Sequence, residues 1–185
     1  MTLDIRALAI SDVKLITPRR FADTRGHFVE TWNRRVWAVA GVDAAFVQDS
    51  QSLSTQVGTV RGLHFQRPPH AQAKLVSVLK GKILDVVVDL RKASSTFGRH
   101  VAVELDADTG AQLFVPQGFA HGFCTLAPET LVAYKVDAHY APESDAGIFW
   151  ADERLGIAWP VAQDRAHLSP KDAALPRLKD IESPF

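Results

Sequence analysis

Apolar and polar residues alternate in short runs along most of the chain, and Gly, Pro, Asn or Asp separates one run from the next. The runs DVKLITP, HFVETW, AFVQDSQSLS, KLVSVL, KILDVVVDL, HVAVEL, AQLFVP, GFCTLA and TLVAYKV carry the β-branched and aromatic residues that suit a pleated, half-buried surface. Many short strands with turn residues between them predict an all-β sandwich or barrel. One helix is expected early, in NRRVWAVAG, where Asn33 can cap the first turn and Gly41 can end the last. From about Pro142 the chain becomes rich in Pro and charge, which predicts turns and short helical pieces wrapped on the sheet. There is no tandem repeat or low-complexity linker, and 185 residues are enough for one domain with a sizeable core, so residues 1–185 are expected to form a single domain.

The run KLVSVLKGKILDVVVDL predicts a hairpin turning at Lys80-Gly81. Counting outward from that turn pairs Leu79 with Lys82, Val76 with Asp85 and Lys74 with Val87. Leu75, Ser77, Leu79, Leu84, Val86, Val88 and Leu90 then share one face, a core face. Gln72, Lys74, Val76, Val78, Ile83, Asp85, Val87 and Asp89 share the other. A surface ion pair between Lys74 and Asp85 is the ordinary explanation for the charges on the second face. Four branched aliphatics do not belong on a solvent face, however, and a polar-ended pocket inside a barrel accounts for both halves.

Charge narrows the partners. Lys plus Arg and Asp plus Glu number 21 each, so the net charge is zero and no general nucleic-acid footprint is present. An anionic ligand must meet a local cluster of cations instead. A single cysteine, Cys124, leaves no intrachain disulfide and fits a reducing compartment. The segment MTLDIRALAI lacks the apolar core of a signal peptide, and no apolar run reaches the length of a membrane span. A soluble, cytoplasmic protein is expected.

Two stretches carry candidate chemistry. RGLHFQRPPHAQAKLV holds His64, His70 and Lys74. GAQLFVPQGFAH spaces Gly110, Pro116, Gly118 and His121 as in the second motif of the cupin superfamily of small β-jelly rolls. Cupins often bind a metal through a His-x-His pair, a Glu and a His placed like His121. Here only His64 stands in the first-motif region, and Lys74 occupies the place where a carboxylate would be wanted. A protonated lysine repels a cation, and two imidazoles alone make a poor site for Zn or Fe, so no metal is expected.

Over roughly residues 10 to 175 the chain resembles the dTDP-4-dehydrorhamnose 3,5-epimerase family. The resemblance runs through FADTRGHFVETW, FVQDSQSLS, GTVRGLHFQRPPHAQAKLVSVLKGKILDVVVDLR, STFGRHVAVEL, VPQGFAHGF, YKVDAHYAPE, WADERLGIAWP and LSPKD, in the family's order and spacing. It implies a cupin-type jelly roll with a few short peripheral helices, a homodimer, no metal, no organic cofactor, and a dTDP-linked 4-keto-6-deoxyhexose as substrate.

Such a substrate needs a base to remove a hydrogen beside the keto group, a group to hold the enolate oxygen, and an acid to return a proton from the opposite face. His64 is suited to the base, because neutral imidazole is tuned near pH 7. The resemblance assigns Asp172 to orient His64, although Ser169-Pro170-Lys171-Asp172 also reads as the capped start of a helix. Lys74 is the candidate for the enolate oxygen, with Asp85 expected to hold its ammonium. Tyr134 matches the family's proton donor, Tyr140 its substrate-packing tyrosine, and His121 an assisting or packing residue in the substrate site. Arg25, Phe28, Glu30, Gln48 and Arg61 match the nucleotide contacts, where arginine offers bidentate bonds to phosphate. The family contributes some of these across the dimer. Ser50 stands where the family commonly carries Asn.

Overall fold

The computed structural model describes residues 3–185. Two antiparallel sheets face one another. The larger has the spatial order β1 (Leu3–Arg6), β2 (Lys14–Pro18), β10 (Gln112–Val115), β7 (Lys74–Lys80), β12 (Thr130–Val136) and β5 (Gln48–Ser54). The smaller has the order β13 (Asp145–Gly147), β6 (Val60–Gln66), β11 (Phe119–Thr125), β8 (Lys82–Asp89) and β9 (His100–Asp106). Neighbours in each sheet are mostly distant in sequence, which gives the crossing connections of a jelly roll. A separate hairpin of β3 (Arg20–Asp23) and β4 (Gly26–Val29) forms an arm.

Helix α1 (Arg34–Val39) starts as the sequence predicts: the Asn33 side chain accepts from the Arg35 and Val36 amides, and Gly41 follows with φ +80°. Helix α2 (Pro170–Ala173) begins at Ser169, whose hydroxyl accepts from the Asp172 amide at 3.0 Å. Short 3-10 turns occupy much of the remaining C-terminal segment, as expected of a Pro-rich wrapping.

The hairpin expected at Lys80-Gly81 is not there. β7 pairs with β10 and β12, whereas β8 pairs with β11 and β9. Lys80-Gly81-Lys82 is a corner that carries the chain from one sheet to the other. Each strand is interior to its own sheet, so both of its edges are filled by non-local partners, a pairing that a local turn rule cannot see. Gly81 is left-handed (φ +82°), and a Cβ there would lie 2.3 Å from Thr130 Oγ1.

The parity of the two faces survives the correction. Val76, Val78, Ile83 and Val87 lie buried between the sheets with Leu113, Phe123 and Val132. The expected core face divides between the two outer surfaces. Leu75 packs with Trp37 near α1, and Val86, Val88 and Leu90 pack under C-terminal residues such as Leu155 and Phe185. Leu79 is exposed. Asp89, expected on the second face with Lys74 and Asp85, hydrogen-bonds to neither of them. It is buried with Arg91, Ser94 and Thr96, which hold its carboxyl well below the usual carboxylate range despite the opposing cost of burial.

Candidate active site

The smaller sheet supplies one wall. His64 on β6 and His121 on β11 are direct register partners, which places both imidazoles on the inner face. The strands approach closely here because β11 carries Gly122: a Cβ at that position would lie 2.6 Å from the Arg61 carbonyl oxygen and 2.9 Å from Gly62 Cα. The other wall comes from the larger sheet, with Lys74 at the start of β7 and Tyr134 on β12.

Arg61, His64, Lys74, His121, Tyr134 and Asp172 line one cavity of about 290 Å³. Each histidine has its own carboxylate. His64 Nε2 lies 2.7 Å from Asp172 Oδ1, and His121 Nε2 lies 2.9 and 3.0 Å from the two oxygens of Asp85. Burial works against ionisation of Asp172, but its bond to His64 and the Gly62 and Ser169 contacts prevail and hold the carboxyl below its ordinary value. An ionised carboxylate only accepts, so it fixes the hydrogen on His64 Nε2 and leaves Nδ1 as the nitrogen that can take a proton. Asp172 therefore serves as the third residue of a capped helix and as the partner of His64 at once.

Lys74 Nζ donates to the His64 carbonyl oxygen at 3.2 Å. Asp85 does not bond the ammonium as expected; its oxygens are taken by His121, and it acts on Lys74 through its field alone. Burial lowers Lys74 to about 8, against the opposing pull of Asp85 and Asp145. Burial also drives the Tyr134 phenol well above its ordinary value; Asp85 adds to the rise, while Ser52 and Arg61 oppose it. The phenol stays protonated at neutral pH. Its ring stands edge-on to His121, with centroids 6.4 Å apart.

Three further lining residues are not assigned to the site from sequence: Phe123, and Ser169 and Lys171, which read only as part of a helix start. Lys171 pairs with Asp145, which also accepts from the Tyr140 hydroxyl at 3.0 Å. Tyr140 is exposed, and its amide donates to Gln48 Oε1 at 3.0 Å. Arg61 is anchored by bonds to Ser54 Oγ (3.1 Å) and the Leu53 carbonyl (3.0 Å). Alternation along QDSQSLS could have placed Ser50, Ser52 and Ser54 on one face with Gln48.

Arg25 and Phe28 do not line this cavity. They stand exposed on the β3–β4 arm, where Arg25 pairs with Asp23 and Phe28 is 68% exposed. Glu30 follows the arm, and its Oε1 is buried without a hydrogen-bond partner among the described residues. No group of three or more His, Cys, Asp or Glu gathers as a metal site would require among the described residues. Nor, among them, is any helix long and apolar enough to cross a membrane.

The family model for dTDP-4-dehydrorhamnose 3,5-epimerase matches residues 7–180. The dTDP-4-dehydrorhamnose 3,5-epimerase of Sinorhizobium fredii is 47% identical over 180 residues, 97% of this chain and 92% of the relative. The crystal structure of the Bacillus anthracis enzyme of that name, with TDP and PPi bound, superposes with a TM-score of 0.93 at 49% identity and covers 96% of this chain and 100% of its own. The dTDP-6-deoxy-D-glucose-3,5-epimerase of Legionella pneumophila, in complex with dTDP-4-keto-L-rhamnose, gives 0.92 at 41% identity, covering 98% and 95%. The shared jelly roll and a match along nearly the whole length establish that this chain belongs to the dTDP-4-dehydrorhamnose 3,5-epimerase family.

Proposed function

We propose that the protein epimerises C3 and C5 of dTDP-4-dehydro-6-deoxy-D-glucose to give dTDP-4-dehydro-L-rhamnose, without a metal or organic cofactor. The observation that carries this reading is the placement of an Asp-oriented histidine and a protonated tyrosine on facing sheets around one cavity. The 4-keto group acidifies the hydrogens at C3 and C5. His64 removes one of them, the electron pair passes into the enolate, and Lys74 stabilises the oxygen that gains charge. Tyr134 then returns a proton from the opposite face. His121, held by Asp85, adds a second polar group at the enolate side. Arg61 and the Gln48–Tyr140 pair contact the nucleotide part.

The test follows deuterium wash-in and product configuration together. His64→Ala abolishes wash-in at both C3 and C5, with a loss of roughly 100- to 10,000-fold. Tyr134→Phe keeps wash-in by way of His64 but loses inversion, so exchange runs well ahead of epimerised product. Asp172→Asn falls between wild type and His64→Ala. Wash-in at the wild-type rate in His64→Ala, or equal loss of both signals in Tyr134→Phe, overturns the assignment. Label confined to one carbon in the wild type identifies a single-position epimerase instead.

Metal independence has its own check. His64 and His121 are each engaged by a carboxylate, and Lys74 bonds beside them. Dialysis against EDTA leaves the rate unchanged; a loss restored by one divalent cation refutes the metal-free mechanism.

A further inference from the structure

Strand β5 lies at one edge of the larger sheet. Its pairing with β12 sets Ser50 opposite Tyr134, Ser52 opposite Val132 and Ser54 opposite Thr130. Residues two apart share a face, so Ser50, Ser52 and Ser54 form a row of hydroxyls on the side where Tyr134 reaches the cavity. Two members have evident partners: Gln48 Nε2 donates to Ser50, and Arg61 Nε donates to Ser54. Ser52 Oγ lies 2.9 Å from Tyr134 Oη, and this is the one hydrogen bond of either hydroxyl among the described residues.

We propose that Ser52 is the positioning residue for the tyrosine acid: its hydroxyl donates to the phenol oxygen, turns the phenol hydrogen toward the sugar, and carries the phenolate left behind. The inference rests on the assignment of Tyr134 as the proton donor. In the transfer, the enolate electron pair forms the new C–H bond with the phenol hydrogen. The O–H bond breaks and its pair stays on oxygen. Solvent water returns a proton to the phenolate, and His64 gives up to solvent the one it took, so the site ends with its starting charge.

Physical chemistry demands a group of this kind. The buried phenolate stands in the field of Asp85, and both effects oppose its formation. A donor that arrives with the resting structure costs no reorganisation at the moment of reaction. A hydroxyl suits the task because it can accept from a phenol and donate to a phenolate. Holding β5 in place does not require the bond, since seven residue pairs already join β5 to β12.

Ser52→Ala, Ser52→Thr and the double variant Ser52→Ala/Tyr134→Phe are compared with Tyr134→Phe. Inverted product, deuterium wash-in, KM and melting temperature are measured for each. Ser52→Ala lowers kcat for inversion by roughly 10- to 100-fold, the size expected for a hydrogen bond to a charged group. Its wash-in falls far less and its KM stays near that of the wild type. Ser52→Thr keeps the hydroxyl, fits a strand, and restores the balance of exchange and inversion. The double variant is no worse than Tyr134→Phe alone, because both changes remove the same step. Wild-type inversion in Ser52→Ala, equal loss of wash-in and inversion, additive losses in the double variant, or a threonine variant as impaired as alanine at an unchanged melting temperature each overturns the role of Ser52. Tyr134→Phe separates the two failures. If that variant loses exchange and inversion in step, the acid itself is misassigned; if it divides them and Ser52→Ala does not, only Ser52 is.

Discussion

Lys74 is a cation kept at a cost. Its ammonium is lowered from 10.5 to about 8 by burial, so the unfolded chain binds the proton more tightly than the folded one. Between about 8 and 10.5 the unfolded state therefore holds more protons, and wild-type stability rises with pH across that window. Lys74→Met removes the buried charge. It melts at a higher temperature than the wild type at pH 7, and the difference shrinks as pH climbs from about 8 to 10.5. On the proposed mechanism function runs the other way, because the enolate needs the cation. The profile of kcat/KM falls on an alkaline limb centred near 8, and Lys74→Arg, slower but permanently charged, moves that limb upward. Calorimetry and pH–rate profiles on the same three proteins check both halves. A limb that stays in place in Lys74→Arg assigns it to another group.

The strands that carry the histidines meet across a glycine. Gly122→Ala inserts a methyl group against the Arg61 carbonyl and the Gly62 backbone, contacts that cannot yield as a side chain could. The expected cost is about 1–3 kcal/mol, in the range of overpacking, seen as a lower melting temperature together with a fall in kcat. A variant that loses stability but keeps kcat separates the spacing of these strands from catalysis. The elements differ in how well they can be read from sequence. Helix α1 was readable because Asn33 and Gly41 act locally, and α2 because Ser169 and Pro170 do. Strand β6 is not legible as a strand although it bears the proposed base: VRGLHFQ interrupts its apolar residues with Arg, Gly and His. β7 and β8 were recognised as strands with correct faces but joined to the wrong neighbours. Pairing depends on residues many positions away, and a two-residue turn with glycine resembles a hairpin whether the chain folds back or turns a corner. The same error tied Asp85 to Lys74, although across the corner Asp85 meets His121.

At the scale of the whole molecule, the arm is the feature one chain leaves unexplained. Phe21 and Phe28 are paired across β3 and β4, and both are exposed. Arg25 extends from the same hairpin. We propose, from the resemblance to the family, a homodimer in which this arm reaches the partner's nucleotide site. Mixing inactive Arg25→Ala with inactive His64→Ala then restores activity, because a mixed dimer holds one cavity with neither defect. Sizing chromatography and the recovered rate check this together, and no recovery in a demonstrated mixed dimer places the arm's action within its own chain. The proposed base and acid stand on different sheets: His64 belongs to the smaller, Tyr134 to the larger. The separation between them is therefore the thickness of the filling, set by Val76, Val78, Val87, Phe123 and Val132. Those aliphatic and aromatic groups act as a gauge block. On the proposed mechanism, a thinner or thicker filling leaves His64 and Tyr134 intact yet changes how closely each approaches its own face of the flat enolate, which ties stereochemical fidelity to the girth of the protein's interior.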